Sequence, residues 1–415
     1  MTTKTNLPVA RILIHRKRSH LGLISALAFA VASCGSVMVS LAADVTSTWN
    51  AGSGDWGVAA NWNPNSFFPK NGSHGFTFDA ILNNGGTINL DQNIAIQKFT
   101  LTSGTLTGSK DLTTNELLTW TAGTMSGSGM TNANGGMSLN SSGVNLFLDT
   151  RTLNNAAGQT ATWTNTTGSG GDIRFVNGAI FNNNGTFLAQ SDQGIFSNGG
   201  GGGTFNNAGT FTRNNNSTTL TIGGQIIFNN TGTVNVQTGT LALQGGDSGN
   251  TTGAFNVSSG ATLNLQSNFT FAAGSSFAGA GTVNFNSGTS DLNGSSYNVS
   301  AINVAGGTAN FNTNASVVGI NLTSGTLAGT GMLNASGLVT WSGGTMSGTG
   351  VTNANGGMSL VDGGPLGYLY LDTRTLDNAA GQTATWTTDP SNFGYSTFFQ
   401  NGATLNNNGT FLVQS

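Results

Sequence analysis

Charged residues are scarce in this 415-residue chain, because Asp, Glu, Lys and Arg together make up only 7% of it. An average soluble domain carries roughly a quarter, so a coiled coil, a helical bundle and a charged disordered tail are excluded. Proline is also rare, and the 64 glycines show no three-residue period, which excludes collagen. The single cysteine, Cys34, excludes an intrachain disulfide framework.

The first 43 residues differ in composition from the rest. A basic flank at Arg16–Arg18 precedes an apolar run at 21–32, and small residues follow it. This pattern predicts a secretory signal peptide over 1–43, cleaved after Ala42 or Ala43.

Two alternatives remain for this leader. The segment Val31–Gly35 resembles a bacterial lipoprotein box, which would leave Cys34 lipidated and the protein anchored in the outer membrane. An uncleaved anchor is the other alternative, since the apolar stretch through Leu41 is long enough to span a bilayer.

Removal of the leader makes the chain more acidic. Seven basic and 15 acidic residues remain, a net charge of −8. Nucleic-acid binding would then have no electrostatic basis. Without cysteine the mature chain has no thiolate chemistry or Cys metal site, and we expect no metal and no small-molecule cofactor.

A short motif recurs along the chain after residue 80. Phe181–Phe187, Phe205–Phe211 and Phe228–Val234 share an Asn-Asn-x-Gly-Thr centre, and their starts lie 24 and 23 residues apart. A spacing of 20 to 26 residues is typical of a solenoid.

Strands with period two follow these turns, so that one face of each strand is buried and the other is wet. The five clearest are Thr219–Ile222, Thr233–Val236, Thr240–Leu243, Thr262–Leu265 and Thr282–Phe285. Together with the repeats they predict an all-β fold, a right-handed parallel β-helix over 81–415. A series of β-sandwiches and a β-prism-like array are the alternatives.

A larger duplication overlies the short repeat. Block 101–190 matches block 322–414, and coils 191–321 form a spacer between them. Thr131–Leu139 recurs unchanged at Thr352–Leu360. One multi-coil unit was therefore copied.

The segments Trp49–Trp56 and Asn61–Asn63, with the Gly/Asn/Thr-rich coils behind them, resemble large exported bacterial β-repeat proteins. These are autotransporter passengers and filamentous haemagglutinin-like adhesins. The resemblance implies a secreted or surface-displayed β-helix of adhesive or structural role. The chain departs from that pattern at Phe411–Ser415, where neither a translocator barrel nor a sorting tail follows, so the resemblance does not imply self-transport.

Three tryptophans crowd the first coil, within a predicted N-terminal cap over 44–80. Solenoids expose their apolar core at each end and need a cap, so Trp49, Trp56 and Trp62 are expected to close that end. Aromatic rings also form sugar-binding platforms, and these three are therefore the candidate glycan-binding residues. Four further tryptophans occupy equivalent places in the two blocks and are predicted core residues: Trp120, Trp341, Trp163 and Trp386.

Two charged pairs occupy equivalent positions in the blocks. Asp149 and Arg151, like Asp372 and Arg374, would face the same way on a strand and are predicted to form ion pairs or to keep a strand edge soluble. A carboxylate beside a base could also begin a polysaccharide-degrading site, but a copied pair favours a structural role.

Three other features carry weaker signals. Asp172 and Arg174 have the same spacing, but the second block lacks them. His74, the only histidine after the leader, is predicted to lie in a loop without a catalytic role. Gly245–Gly249 faintly resembles a calcium repeat.

The last strand, Thr410–Val413, would leave an apolar coil and open strand edges at the C-terminal end. We expect either a continuation of the chain or a partner chain there. The function predicted from the sequence is that of an exported bacterial surface or extracellular structural or adhesin-like protein, and not an enzyme. Surface glycans or cell-envelope components are the expected partners. The alternative is a polysaccharide-binding or polysaccharide-degrading β-helix.

Overall fold

Short alternating strands separated by Gly- and Asn-rich turns wind into a β-solenoid. The computed structural model describes residues 44–165, 170–215, 218–249, 251–294, 296–362, 368–388 and 397–414. The predicted signal peptide over 1–43, with its cleavage and lipidation alternatives, lies outside the described residues. Among the described residues the only helical elements are two 3₁₀ turns, Ala59–Asn61 and Ser73–Gly75, and none could cross a membrane.

The strands form three faces, each a parallel sheet in which neighbours belong to successive turns of the chain. Two long strands, Ser276–Phe285 and Ser296–Val304, bend around the corner and serve both the first and the second face. The other strands of the first face are Asp44–Trp49, Thr77–Leu82, Lys98–Leu101, Leu118–Trp120, Met137–Asn140, Thr160–Thr164, Thr186–Gln190, Thr210–Arg213, Thr233–Val236, Ala254–Val257, Ala315–Val317, Met332–Ala335, Val351–Ala354, Thr375–Asn378 and Thr404–Asn407.

The second face lies one corner further along each turn. Its strands are Ser53–Asp55, Thr87–Asn89, Thr105–Thr107, Gly123–Met125, Leu146–Asp149, Ile173–Val176, Ile195–Ser197, Thr219–Ile222, Thr240–Leu243, Thr262–Leu265, Gly319–Leu322, Val339–Trp341, Met358–Asp362, Thr383–Thr388 and Thr410–Gln414.

The third face is interrupted once and consists of two seven-stranded sheets. The first holds Ile94–Ile96, Leu112–Thr114, Met130–Ala133, Thr152–Asn155, Ala179–Asn183, Gly203–Asn207 and Ile226–Asn230. The second holds Phe269–Phe271, Thr289–Leu292, Thr308–Phe311, Thr326–Ala328, Gly344–Met346, Leu369–Asp372 and Thr397–Gln400.

These pairings confirm the all-β, parallel, stacked-coil prediction, and the five predicted strands lie where the sequence placed them. The right-handed sense of the solenoid stays a prediction. The turns vary in length more than predicted, because Ile320 aligns with Ile302 after 18 residues whereas Leu405 aligns with Leu376 after 29.

The core is a continuous column of side chains from successive turns. In Thr233–Val236, for example, the two valines are buried, whereas the threonine and asparagine that alternate with them are partly exposed. Phenylalanines stack along the axis: the ring centroids of Phe181 and Phe205 lie 4.9 Å apart, and those of Phe205 and Phe228 lie 5.6 Å apart. The alternation therefore buries one apolar column against the next turn.

The glycine of the repeated Asn-Asn-x-Gly-Thr motif is required by close backbone approach. A Cβ on Gly209 would lie 2.0 Å from the carbonyl oxygen of Gly185, and one on Gly232 would lie 2.0 Å from that of Gly209. No side chain fits at these distances. The motif thus marks a corner where successive turns touch through their backbones.

The duplicated blocks occupy different faces. Met130–Ala133 lies on the third face, whereas its copy, Val351–Ala354, lies on the first. Likewise Met137–Asn140 lies on the first face and its copy, Met358–Asp362, on the second. The spacer therefore contains a whole number of turns plus one third, so equivalent surfaces of the two copies point in different directions.

Candidate functional site

The three candidate tryptophans pack together inside the first coils. Trp49, Trp56 and Trp62 are only 0–1% exposed, and the ring of Trp62 lies 5.1 Å from that of Trp49 and 4.7 Å from that of Trp56. The Trp56 indole nitrogen donates to the carbonyl oxygen of Pro69 at 2.8 Å, and the Trp62 indole donates to that of Trp56 at 2.9 Å. No ring face of the three is open to a sugar, so this burial favours the capping interpretation over the glycan-binding one.

The tryptophans shared between the two blocks lie along the same core. Trp120, Trp163 and Trp341 are buried, and Trp386 is partly buried near the C-terminal end. Their packing is that of core residues, as the duplication predicts.

A short antiparallel pair closes the outer edge of the first strand. Trp62–Asn63 aligns with Thr48 and Trp49, on the edge opposite the next turn. The pairing covers the last two residues of that strand on its outer edge.

Arg151 is a fully buried cation that holds several turns together. Its Nε donates to Thr131 Oγ1 at 2.7 Å, and its guanidinium donates to the carbonyl oxygens of Gly108 (3.2 Å), Ser126 (3.0 Å), Lys110 (3.0 Å) and Met130 (2.8 Å). Burial lowers its pKa to about 10. A planar fork of five donors matches this ring of backbone acceptors.

Arg374 repeats this arrangement in the second block. It is buried, its Nε donates to Thr352 Oγ1 at 2.8 Å, and its guanidinium reaches the carbonyl oxygens of Gly329 (3.2 Å) and Ser347 (3.0 Å). Burial lowers its pKa to about 10 as well. The arginine is therefore a structural part of the copied unit.

The predicted ion pair between Asp149 and Arg151 is wrong. Thr150 adopts a left-handed conformation, with φ of 55°, so the strand ends at Asp149 and the chain turns a corner. The arginine then points inward, while the Asp149 carboxylate accepts a hydrogen bond from Asn177 at 2.8 Å.

The same correction applies to Asp372 and Arg374. Thr373 has φ of 60°, and Asp372 accepts from Asn401 at 2.7 Å. A catalytic carboxylate–base pair is not assembled at either corner.

Asp172 and Arg174, in contrast, form an ion pair between their side chains. The Arg174 guanidinium also lies 5.2 Å from the centre of the Phe196 ring in the next turn. In the second block Phe398 takes the position of Arg174 and stacks on Tyr370, with ring centroids 5.2 Å apart. Arg174 thus contacts an aromatic ring of the following turn, whereas Phe398 contacts one of the preceding turn.

The remaining candidates have simple local roles. His74 is exposed, its ring lies 4.1 Å from that of Phe67, and its Nδ1 lies 3.1 Å from Ser73 Oγ. Asp247, in the calcium-like segment, accepts from the backbone amides of Gly249 and Thr270, each at 3.1 Å. Within the described ranges no group of three His, Cys, Asp or Glu residues could hold a metal ion.

A small charged cluster lies on the outside of the first turns. Lys98 Nζ lies 3.0 Å from Glu116 and 3.6 Å from Asp79. Burial raises the pKa of Asp79, and nearby Asp44 adds to this effect while Lys98 opposes it. A hydrogen bond with Glu116, with both carboxylates nearby, raises the pKa of Lys98.

Two asparagine ladders run side by side along the third face; stacking of outward asparagines between coils was expected, whereas the buried ladder and the opposite directions of the two were not. In the outer ladder the amides of Asn154, Asn182, Asn206 and Asn229 each donate to the asparagine of the preceding turn at 2.7–2.9 Å, and Asn132 accepts at the first position. In the buried inner ladder the amides of Asn155, Asn183 and Asn207 each donate to the asparagine of the following turn at 2.8 Å, and the last member, Asn230, donates to the carbonyl oxygen of Ala254 at 3.2 Å. In the sequence, the Asn-Asn pair of each repeated motif was the signal from which the two ladders could have been predicted.

An open polar groove lies where the outer ladder ends. Its volume is about 310 Å³, and its lining comprises Asn206, Asn207, Ala208, Asn229, Thr231 and Ser248. Ser248 donates through its hydroxyl to Asn229 at 2.7 Å. The groove follows the interruption of the third face and contains amides and hydroxyls, without a carboxylate among its lining residues. No family model, no curated protein and no solved structure matches this chain.

Proposed function

We propose that this chain is an exported structural or adhesive rod of a bacterial surface or extracellular matrix, without enzymatic activity. The observation that supports this most directly is the burial of the side chains that could bind a ligand or take part in catalysis. The clustered tryptophans and the two corner arginines are buried and hold turns together. Much of the outer surface consists of uncharged threonine and asparagine rows.

Such rows of uncharged side chains are better suited to binding a surface than to catalysing a reaction. On the third face Thr289, Thr308, Thr326 and Thr345 align from turn to turn. Neighbouring strands lie roughly 4.8 Å apart, so the row is a flat, repetitive array of hydroxyl and methyl groups. A regular neutral array can make many weak contacts along an extended partner.

The test of this proposal is retention on surfaces. Labelled chain, residues 44–415, is incubated with bacterial cells, extracted matrix and immobilised cell-envelope polymers. We expect retention that resists moderate salt, because the surface rows are uncharged. A variant with Thr308 and Thr326 changed to Lys should bind less while keeping its β-sheet circular dichroism. Absence of retention on every surface would contradict the adhesive role.

Binding of a neutral polysaccharide is the second candidate, and the polar groove supports it. Asn206, Asn229, Thr231 and Ser248 offer amide and hydroxyl groups, which pair well with sugar hydroxyls. Glycan-array binding that Asn229→Leu reduces at least about tenfold, or about 1.4 kcal/mol, would favour this candidate. Asn256→Leu, on the outside of another face, is the matched control.

A further inference from the structure

The aromatic ring of Phe196 lies flat against the outside of the second face. A Cβ on Gly194, two residues earlier, would lie 2.1 Å from the ring atom Cε2, and one on Gly223, in the next turn, would lie 2.5 Å from Cδ1. Both glycines are buried, whereas the phenylalanine is partly exposed. The sheet therefore covers one face of the ring, and the exposed part of the ring belongs to its other face.

The two glycines under the ring are not required by the backbone. Neither Gly194 nor Gly223 has a left-handed conformation, so other residues could adopt their φ values. At Gly194 the three atoms nearest to an added Cβ all belong to the Phe196 ring, and at Gly223 the two nearest do. The glycines thus make room on the outer surface for an aromatic ring that the core does not use.

An arginine and a second ring adjoin Phe196 along the axis of the solenoid. Arg174 aligns with Phe196 in the preceding turn, and its guanidinium lies 5.2 Å from the ring centre. Phe147, which is also partly exposed, aligns with Arg174 one turn earlier. The outer aromatic row of Phe147, Arg174 and Phe196 therefore places a guanidinium between two outward rings, over two strand spacings or roughly 10 Å.

Asp172 neutralises the charge of this row. Its carboxylate pairs with Arg174, and its Oδ1 accepts from the backbone amide of Gly194 at 3.0 Å. The side chains of Arg174 and Asp172 are 27% and 13% exposed, respectively. The row thus presents to solvent both a donor and an acceptor, without net charge. A neutral ligand with hydroxyl groups fits this combination better than an ion does.

The second block shows that the coil folds without the charged pair. Phe398 holds the place of Arg174 there, and its strand, Thr397–Gln400, still pairs with the strand of the preceding turn. The stacking of the copied unit therefore does not require Asp172 and Arg174. Their presence beside an outward ring favours a role in binding over one in folding.

We infer that the outer aromatic row binds a neutral polysaccharide, with a pyranose ring stacked on the exposed face of Phe196. A pyranose has a face of C–H groups, and the face of an aromatic ring carries the partial negative charge that attracts them. The sugar hydroxyl groups can accept from the Arg174 guanidinium and donate to the Asp172 carboxylate. This site is separate from the polar groove on the third face, and it rests on the contacts of Phe196 and not on the proposed adhesive role of the rod.

The test is calorimetric titration of the full chain with neutral glucan, mannan and galactan oligosaccharides, and with an oligogalacturonate as the acidic counterpart. We expect a neutral oligosaccharide to bind and the oligogalacturonate not to bind, because the row has no net charge. Phe196→Ala should weaken this binding at least about tenfold. Gly223→Ala should weaken it as well, because the added Cβ displaces the ring while the backbone can keep its conformation.

Tyr370→Ala is the matched control, since it also removes an outward ring, at the position in the second block equivalent to Phe147. It should leave the affinity unchanged, as should Asn229→Leu in the polar groove, and every variant should keep its β-sheet circular dichroism. Binding that is lost in Asn229→Leu but kept in Phe196→Ala would overturn the proposal in favour of the groove. Binding of none of the neutral oligosaccharides, or an equal loss in Tyr370→Ala, would also overturn it. Retention on cells tests the role of the rod separately.

Discussion

Asn155 donates its side-chain amide to Asn183 Oδ1 in the next turn, 2.8 Å away and inside the core. Asn154, its neighbour, donates in the opposite direction, to Asn132 in the preceding turn. The two ladders therefore run antiparallel, so their amide dipoles largely cancel along the solenoid. One lies in the core, where water cannot replace a lost partner, and the other is partly wet.

The ladders predict a large difference between two adjacent substitutions. Asn183→Leu leaves the Asn207 side-chain oxygen and the Thr210 carbonyl oxygen without this donor, and we expect a loss of about 2–4 kcal/mol in unfolding free energy. Asn182→Leu, in the outer ladder, should cost less than about 1 kcal/mol, because water can take its place. Chemical denaturation measures both. Equal effects would contradict the distinction between the ladders.

The inner ladder begins with a defect that a single substitution should repair. Ala133 lies between Thr114 and Asn155 in register, and both the Thr114 hydroxyl and the Asn155 side-chain oxygen are buried without a partner. In Ala133→Asn, the new side-chain oxygen can accept from the Thr114 hydroxyl, and the new side-chain amide can donate to the Asn155 side-chain oxygen. We expect a gain of about 1 kcal/mol or more in unfolding free energy. Ala133→Leu adds volume without these hydrogen bonds and should not raise the unfolding free energy. A rise in the leucine variant that the asparagine variant does not share would refute the explanation.

The buried arginines predict a strong and position-specific effect. Arg151→Met removes donors from four backbone carbonyl groups, and we expect a loss of about 3–5 kcal/mol. Arg174→Met, which removes a partly exposed arginine, should cost about 1 kcal/mol or less. Thermal and denaturant unfolding of both variants gives the comparison. A mild effect of Arg151→Met would mean that its hydrogen bonds are not needed.

Asp79 predicts a pH-dependent difference. Its pKa is raised in the folded state, so the folded chain binds the proton more tightly than the unfolded chain does. The site therefore favours folding most at low pH, and this contribution is lost as the pH rises from the ordinary pKa of aspartate through the raised pKa of Asp79. Asp79→Asn does not titrate, so its stability relative to the natural chain should improve with rising pH. Denaturation midpoints at several pH values measure this.

Lys98 provides the control for that measurement, because its charge lowers the pKa of Asp79. Lys98→Gln should therefore raise the pKa of Asp79 further. In a Lys98→Gln background, the chain that keeps Asp79 is again compared with its Asp79→Asn variant. The difference in unfolding free energy between these two should vary more with pH than it does when Lys98 is present. A change that shrinks would contradict the assigned causes of the shift.

The sequence predicted the strands well because alternation and Gly–Asn turns are local signals. Thr233–Val236 and Thr262–Leu265 have the predicted bounds. The one-third-turn offset between the blocks could not be predicted, since turn lengths vary and small differences accumulate over the spacer. Arg151 was misassigned because the left-handed conformation at Thr150, which ends the strand, has no obvious sequence signal.

The tryptophans illustrate the same limit at the site. Their clustering identified a cap, but composition could not tell a buried ring from an exposed platform. Trp56 is buried because its indole finds the carbonyl oxygen of Pro69 inside the fold, a contact 13 residues away. The polar groove depends on the interrupted third face, which emerges only when the turns are stacked.

Disulfide cross-linking along the outer ladder tests the stacked-coil account most directly. In a Cys34→Ser background, Asn182→Cys with Asn206→Cys should oxidise quickly, because aligned residues of neighbouring strands lie roughly 4.8 Å apart. Asn182→Cys with Asn229→Cys, two turns apart, should remain reduced. Efficient cross-linking of the second pair and not the first would contradict the stacking order.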